Sequence, residues 1–174
     1  MIIFNFWKNF YMEKILISGC LLGLDVRYDN RIQPVENKIL LGWQQEGRLL
    51  VVCPEVEGGL SIPRPPAEIV EGSGEDVLNG KAGILNEKGE DVTAAFIRGA
   101  NIALELVKRF SIRVAILKEK SPSCGSTSIY DGSFTRKRIP GQGVTTALLR
   151  KNGVKVFSEK EIGAVQEYIS SPLN

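Results

Sequence analysis

The sequence predicts an α/β domain in three layers, with a mostly parallel sheet and helices on both of its faces. Short apolar runs recur at 15–17, 49–52 and 114–117, with a fourth strand at 154–157, and the first is ended by small residues, as buried parallel strands are. Between them lie segments whose apolar residues repeat at helical spacing. Strands alternating with helices indicate a parallel sheet covered on both sides.

The elements follow in order. Ile15-Leu16-Ile17 is the first strand and runs into Ser18-Gly19-Cys20. Residues 21–34 hold Gly, Asp, Asn and Pro and read as loop. From Val35 to Gln45, Ile39, Leu40 and Trp43 mark a helix that Gly47 stops. Leu49 to Val52 is the second strand, ending at Cys53-Pro54. Residues 54–90 are rich in Gly, Pro and charge and read as irregular, with short strands around Ile84-Leu85.

A helix capped by Asp91 or Thr93 follows, its apolar face made by Phe96, Ile97, Ala100, Ala103, Leu104 and Val107. Val114 to Leu117 is the third strand and leads into the segment ending at Ser121-Pro122-Ser123-Cys124-Gly125. Residues 125–142 read as loop with a short hairpin near Tyr130 and Phe134. Val144 to Lys151 is a helix closed by Asn152-Gly153, and Val154 to Phe157 is the fourth strand. Ser158 and Glu161 form a capping box for the last helix. Residues 1–11 read as an N-terminal extension, the other reading being an interfacial anchor; 12–174 read as a single domain.

Composition narrows the function. A chain of 174 residues buries roughly 70% of its unfolded surface and needs no staples. Its 43% hydrophobic and 24% charged residues are those of an ordinary globular protein. The net charge of +2, from 22 basic and 20 acidic residues, gives no argument for a nucleic-acid or membrane surface. There is no histidine, so every mechanism needing an imidazole base or ligand is excluded. Three cysteines are too few for a secreted disulfide framework and point to a reducing cytoplasm.

Each cysteine follows a predicted strand. In an open α/β sheet the carboxyl ends of parallel strands share one edge, where ligand sites form. Cys20, Cys53 and Cys124 are therefore expected at one place, without any CxxC spacing. A free cysteine can equally serve as a small buried hydrophobe. Yet all three sit at strand exits beside Gly, Pro or Ser, outside the apolar runs. Thiolates are soft ligands that select zinc, copper(I) or iron–sulfur clusters. A structural zinc site wants four protein ligands, so zinc would need Glu55, Glu57 or solvent as the fourth. A cubane held by three cysteines leaves one iron open to substrate.

Several segments resemble a bacterial family, formerly uncharacterised, that includes 2-thiouracil desulfidase. They are ISGCLLG at 17–23 with Arg27-Tyr28, CPEVEGGLSIPRPPAEI at 53–69, GEDVTAAFIRGA at 89–100, KEKSPSCGS at 118–126, YDGSF at 130–134 and GVTTALLRKNGVKVFSE at 143–159. The resemblance implies a Rossmann-like fold and a 4Fe-4S cluster bound by Cys20, Cys53 and Cys124. It also implies a non-redox exchange of C=S for C=O on a small thiolated compound such as a thiouracil-type nucleobase, with sulfide released. The family's active-site glutamate falls on Glu55, and its serine on Ser121 or Ser123, with Ser121 preferred. Arg27, Tyr28 and Arg64 are candidates to line the substrate pocket. Two other functions fit the same residues: a zinc or redox-thiol protein, and a non-catalytic module binding nucleotide or RNA. The basic run Arg136-Lys137-Arg138 reads as a solvated hairpin face.

Overall fold

The computed structural model describes residues 12–171, so the expectation for residues 1–11 lies outside it. Four strands, β1 (Ile15–Ser18), β2 (Leu49–Val52), β5 (Val114–Leu117) and β8 (Lys155–Ser158), form an all-parallel sheet in the order β2-β1-β5-β8. Two antiparallel ribbons accompany it: β3 (Ala67–Val70) with β4 (Gly83–Asn86), and β6 (Ser128–Tyr130) with β7 (Arg138–Pro140).

The central strands β1 and β5 are buried on both faces, the edge strands β2 and β8 less so, and alternation sorts their side chains. Ile15, Ile17, Val114, Ile116 and Phe157 pack with Leu40 and Trp43 of α1 (Lys38–Gln45) and with Ile162 and Val165 of α6 (Ile162–Ser170). Leu16, Ala115, Leu117 and Val156 pack on the other face with Ala103, Leu104 and Val107 of α4 (Thr93–Arg109) and Leu149 of α5 (Val144–Lys151). The three layers are those expected.

A third apolar cluster joins Ile69, Ile84 and Ile129 of the ribbons to Val77 of α3 (Gly74–Leu78) and to Phe96 and Ala100 of α4. It lies in the region read as irregular. Within 54–90 the strand expected around Ile84-Leu85 is β4, and α2 (Pro54–Glu57), β3 and α3 stand where irregular chain was expected. These elements are four or five residues long, too short for periodicity to show.

Smaller departures have local causes. Asn37 starts α1 later than expected, its side chain accepting the N–H groups of Ile39 and Leu40. Ser158 and Glu161 do bond each other, but ahead of α6, which begins at Ile162. Thr93 accepts the Ile84 N–H at 2.8 Å and so ties α4 to β4. Finally, α2 rests directly on α4. A Cβ at Gly58 would overlap the carbonyl of Ala95, and one at Gly99 would overlap that of Pro54.

Candidate metal centre

The sheet order makes β2, β1 and β5 neighbours, so their carboxyl ends meet. Cys20 lies in a 3-10 turn (Gly19–Leu22) directly after β1, Cys53 is the N-cap of α2 directly after β2, and Cys124 lies in the turn beyond β5. All three are free thiols and line one cavity of about 710 Å³. Cys20 and Cys53 are half-buried, and Cys124 is buried.

Burial raises each thiol. It pushes Cys20 up to about 11, with the charge of Cys53 adding to it, and raises Cys53 as well. Cys124 goes higher still, through burial first and then the charge of Glu55. A reactive cysteine needs the opposite, a thiol pKa lowered by a nearby cation or helix end. The three are therefore poor redox nucleophiles on their own, and a bound metal centre is what would deprotonate them. All three thiols line the one cavity and the chain has no fourth cysteine, which is the donor set of a cubane with one iron free of protein ligands.

Glu55, in the first turn of α2, lines the same cavity. Arg64 donates from Nη2 and Nε to Glu55 Oε2 at 2.6 and 3.0 Å. Ser121 Oγ donates to the other oxygen, Oε1, at 3.0 Å. The Ser121 oxygen in turn accepts the N–H groups of Ser123 and Cys124 at 3.0 and 3.2 Å. One hydroxyl thus connects the Glu55 helix to the Cys124 turn.

The two candidate serines part here. Ser121 lines the cavity, whereas Ser123 is fully buried outside its lining and shares a 2.8 Å hydrogen bond with Thr145 Oγ1. Arg64 also lines the cavity, yet its remaining donors go to the carbonyls of Ser61 and Val26. Its guanidinium holds Glu55 and the loop, where a substrate contact was expected. Arg27 lines the cavity while paired in a fork with Asp29 at 2.9 Å, and Tyr28 lines it as an exposed ring. Arg136 reaches the cavity lining as well, whereas its neighbour Lys137 pairs with Asp131.

Sequence reasoning missed three residues. Ser18 ends β1, and its hydroxyl is 3.7 Å from Cys124 Sγ. Lys118 and Glu119 follow β5 at once, so the strand-exit rule that found the cysteines could have found them. Lys118 pairs with Glu159. Glu119 is buried and accepts hydrogen bonds from the N–H groups of Ser126, Thr127 and Ser128 and from the Ser126 hydroxyl. Burial pushes its pKa up, but these donors outweigh burial and bring it down to about 2.

Among the described residues, no helix is long and apolar enough to cross a membrane. Comparison with known proteins gives three concordant matches. A model of the family described as 2-thiouracil desulfurase matches residues 15–161. The chain is 46% identical over 151 residues to uncharacterized protein YbbK of Bacillus subtilis (strain 168), covering 87% of this chain and 99% of that one. A solved structure of the 4Fe-4S-dependent thiouracil desulfidase TudS is similar with a TM-score of 0.83 at 47% identity, covering 91% of this chain and 99% of that chain.

Proposed function

The chain belongs to the 2-thiouracil desulfurase family, and from that membership we propose that it is a 4Fe-4S-dependent desulfidase acting on a small thiolated compound such as a thiouracil-type nucleobase. The observation that carries this is the meeting of three thiols, with no fourth cysteine in the chain, beside a hydrogen-bonded Glu55–Ser121 pair in one cavity. Cys20, Cys53 and Cys124 would hold the cluster. When bound, it supplies a soft Lewis acid with one iron free of protein ligands.

The chain's own residues handle the water and its protons. Replacing C=S by C=O consumes one water and releases hydrogen sulfide. The water gives up one proton as its oxygen bonds to carbon and the second as C=O forms, and the sulfur takes both as its bond to carbon breaks and it leaves as hydrogen sulfide. Glu55 Oε1 is the base, directly or through Ser121 Oγ, and returns the proton to the departing sulfur. The two N–H groups that donate to Ser121 Oγ stabilise negative charge there during relay. Arg64 occupies Oε2 and so leaves Oε1 for this task. Arg27 and Tyr28 are left to contact substrate. The reading treats 12–174 as one catalytic domain working in a reducing cytoplasm.

Protein purified without oxygen should contain about four iron and four acid-labile sulfide per chain. It should release sulfide from 2- or 4-thiouracil, and Cys20→Ser, Cys53→Ser or Cys124→Ser should abolish both iron binding and release. Zinc in place of iron, or sulfide release that survives these replacements, overturns the proposal.

A further inference from the structure

Ser18 takes no part in the reaction just described, yet it is 3% exposed and sits against one of the thiols. Its oxygen accepts the Lys118 N–H at 3.0 Å, and its hydroxyl donates to Cys124 Sγ across 3.7 Å. The two contacts determine each other. With the oxygen engaged by a main-chain donor, the hydroxyl proton is turned away from it and toward sulfur. Both anchors are rigid, because Ser18 ends β1 and Lys118 directly follows the paired strand β5. The direction of the hydroxyl is therefore set by the sheet.

The other thiols have no hydroxyl donor among the described residues. Cys53, at the start of α2, has the main-chain N–H groups of Glu55 and Val56 beside its sulfur, and its thiol faces the carbonyl of Val26 at 3.7 Å. For Cys20, no side-chain hydrogen bond to sulfur is found among the described residues. The three sulfurs are thus unequal, and of the three Cys124 has the oriented hydroxyl.

We propose that Ser18 is a positioning residue that places a directed O–H···S hydrogen bond on the cluster thiolate of Cys124. Such a bond draws electron density from the sulfur, stabilises the more negative, reduced cluster and raises its potential. It also holds the buried sulfur in one orientation. The inference rests on Cys124 being a cluster ligand.

The test compares anaerobically purified wild type with Ser18→Ala and Ser18→Thr, the latter keeping a hydroxyl donor in the same place. Iron content, the midpoint potential from a redox titration and the rate of iron loss to a chelator are measured. Ser18→Ala should retain the fold, shift the potential downward and lose iron about tenfold faster or more. Ser18→Thr should stay closer to wild type than Ser18→Ala. Potentials and loss rates equal to wild type in both variants overturn the inference while leaving the cluster in place. Wild type without iron removes the proposed function itself, and this inference with it.

Discussion

Glu55 and Glu119 line the same cavity, but the chain holds them by different means. Glu119 is gripped by main-chain N–H groups of three successive residues, donors that cannot rotate away. Glu55 is held by side chains, the Arg64 guanidinium on one oxygen and the Ser121 hydroxyl on the other. The difference separates a structural charge from a working one. A carboxylate fixed by backbone donors stays ionised and frames the turn that presents Cys124. Both carboxylates meet a serine hydroxyl, but Ser121, unlike Ser126, lines the cavity and can pass a proton to what sits there.

Substitutions can break that contrast, and the largest effect is expected at Glu55. Glu55→Gln should lower turnover about 10²- to 10⁴-fold, the usual contribution of a general base, while iron content and thermal unfolding stay close to wild type. Equal losses in stability and turnover would erase the distinction.

Next comes Glu119→Gln, for which the order of effects is reversed. The native carboxyl titrates near 2 and its unfolded counterpart near 4.5, a gap worth on the order of 3 kcal/mol. Because the folded pKa is the lower one, this stability is fully present above about pH 4.5. It drains away as pH falls toward about 2. Denaturant titrations across that range should show wild type losing stability in acid while Glu119→Gln, already weakened at neutral pH, loses less. Parallel acid profiles would contradict the framing role.

The smallest effect sharpens the choice between the serines. Ser123→Ala removes one buried hydrogen bond to Thr145 and should cost about 1 kcal/mol of stability with turnover kept. Ser121→Ala should cost turnover instead. A Ser123 variant that folds but does not turn over would move the catalytic role to the buried serine.

Much of this arrangement could be read from the residues, and what escaped has physical reasons. Val114–Leu117 and Leu49–Val52 are strands over the expected bounds because uninterrupted apolar runs leave few alternatives. The gathering of the cysteines followed from strand direction alone. A strand around Ile84-Leu85 was legible, but its partner β3 was not, because the burial of the ribbon depends on Phe96 and Ile129, distant residues that no local pattern reveals. Glu119 escaped because its meaning lies in N–H groups seven to nine positions onward, whose direction is set by a turn. Arg64 was placed at the pocket correctly, but its partner was not legible. Pairing across a loop of prolines is decided by backbone path, which charge pattern does not encode.

The bare contact between α2 and α4 has one more consequence. Main chain rests on main chain at Gly58 and Gly99, and the Arg98 guanidinium clamps the Gly58 carbonyl, so the seat beneath Glu55 is set by backbone contact. The far lining of the cavity, by contrast, comes from Glu68, Asn86 and Tyr130 on the two ribbons. Foundation and upholstery are therefore separate parts. The ribbons can be re-cut to suit a wider or narrower guest while the acid beneath keeps its height.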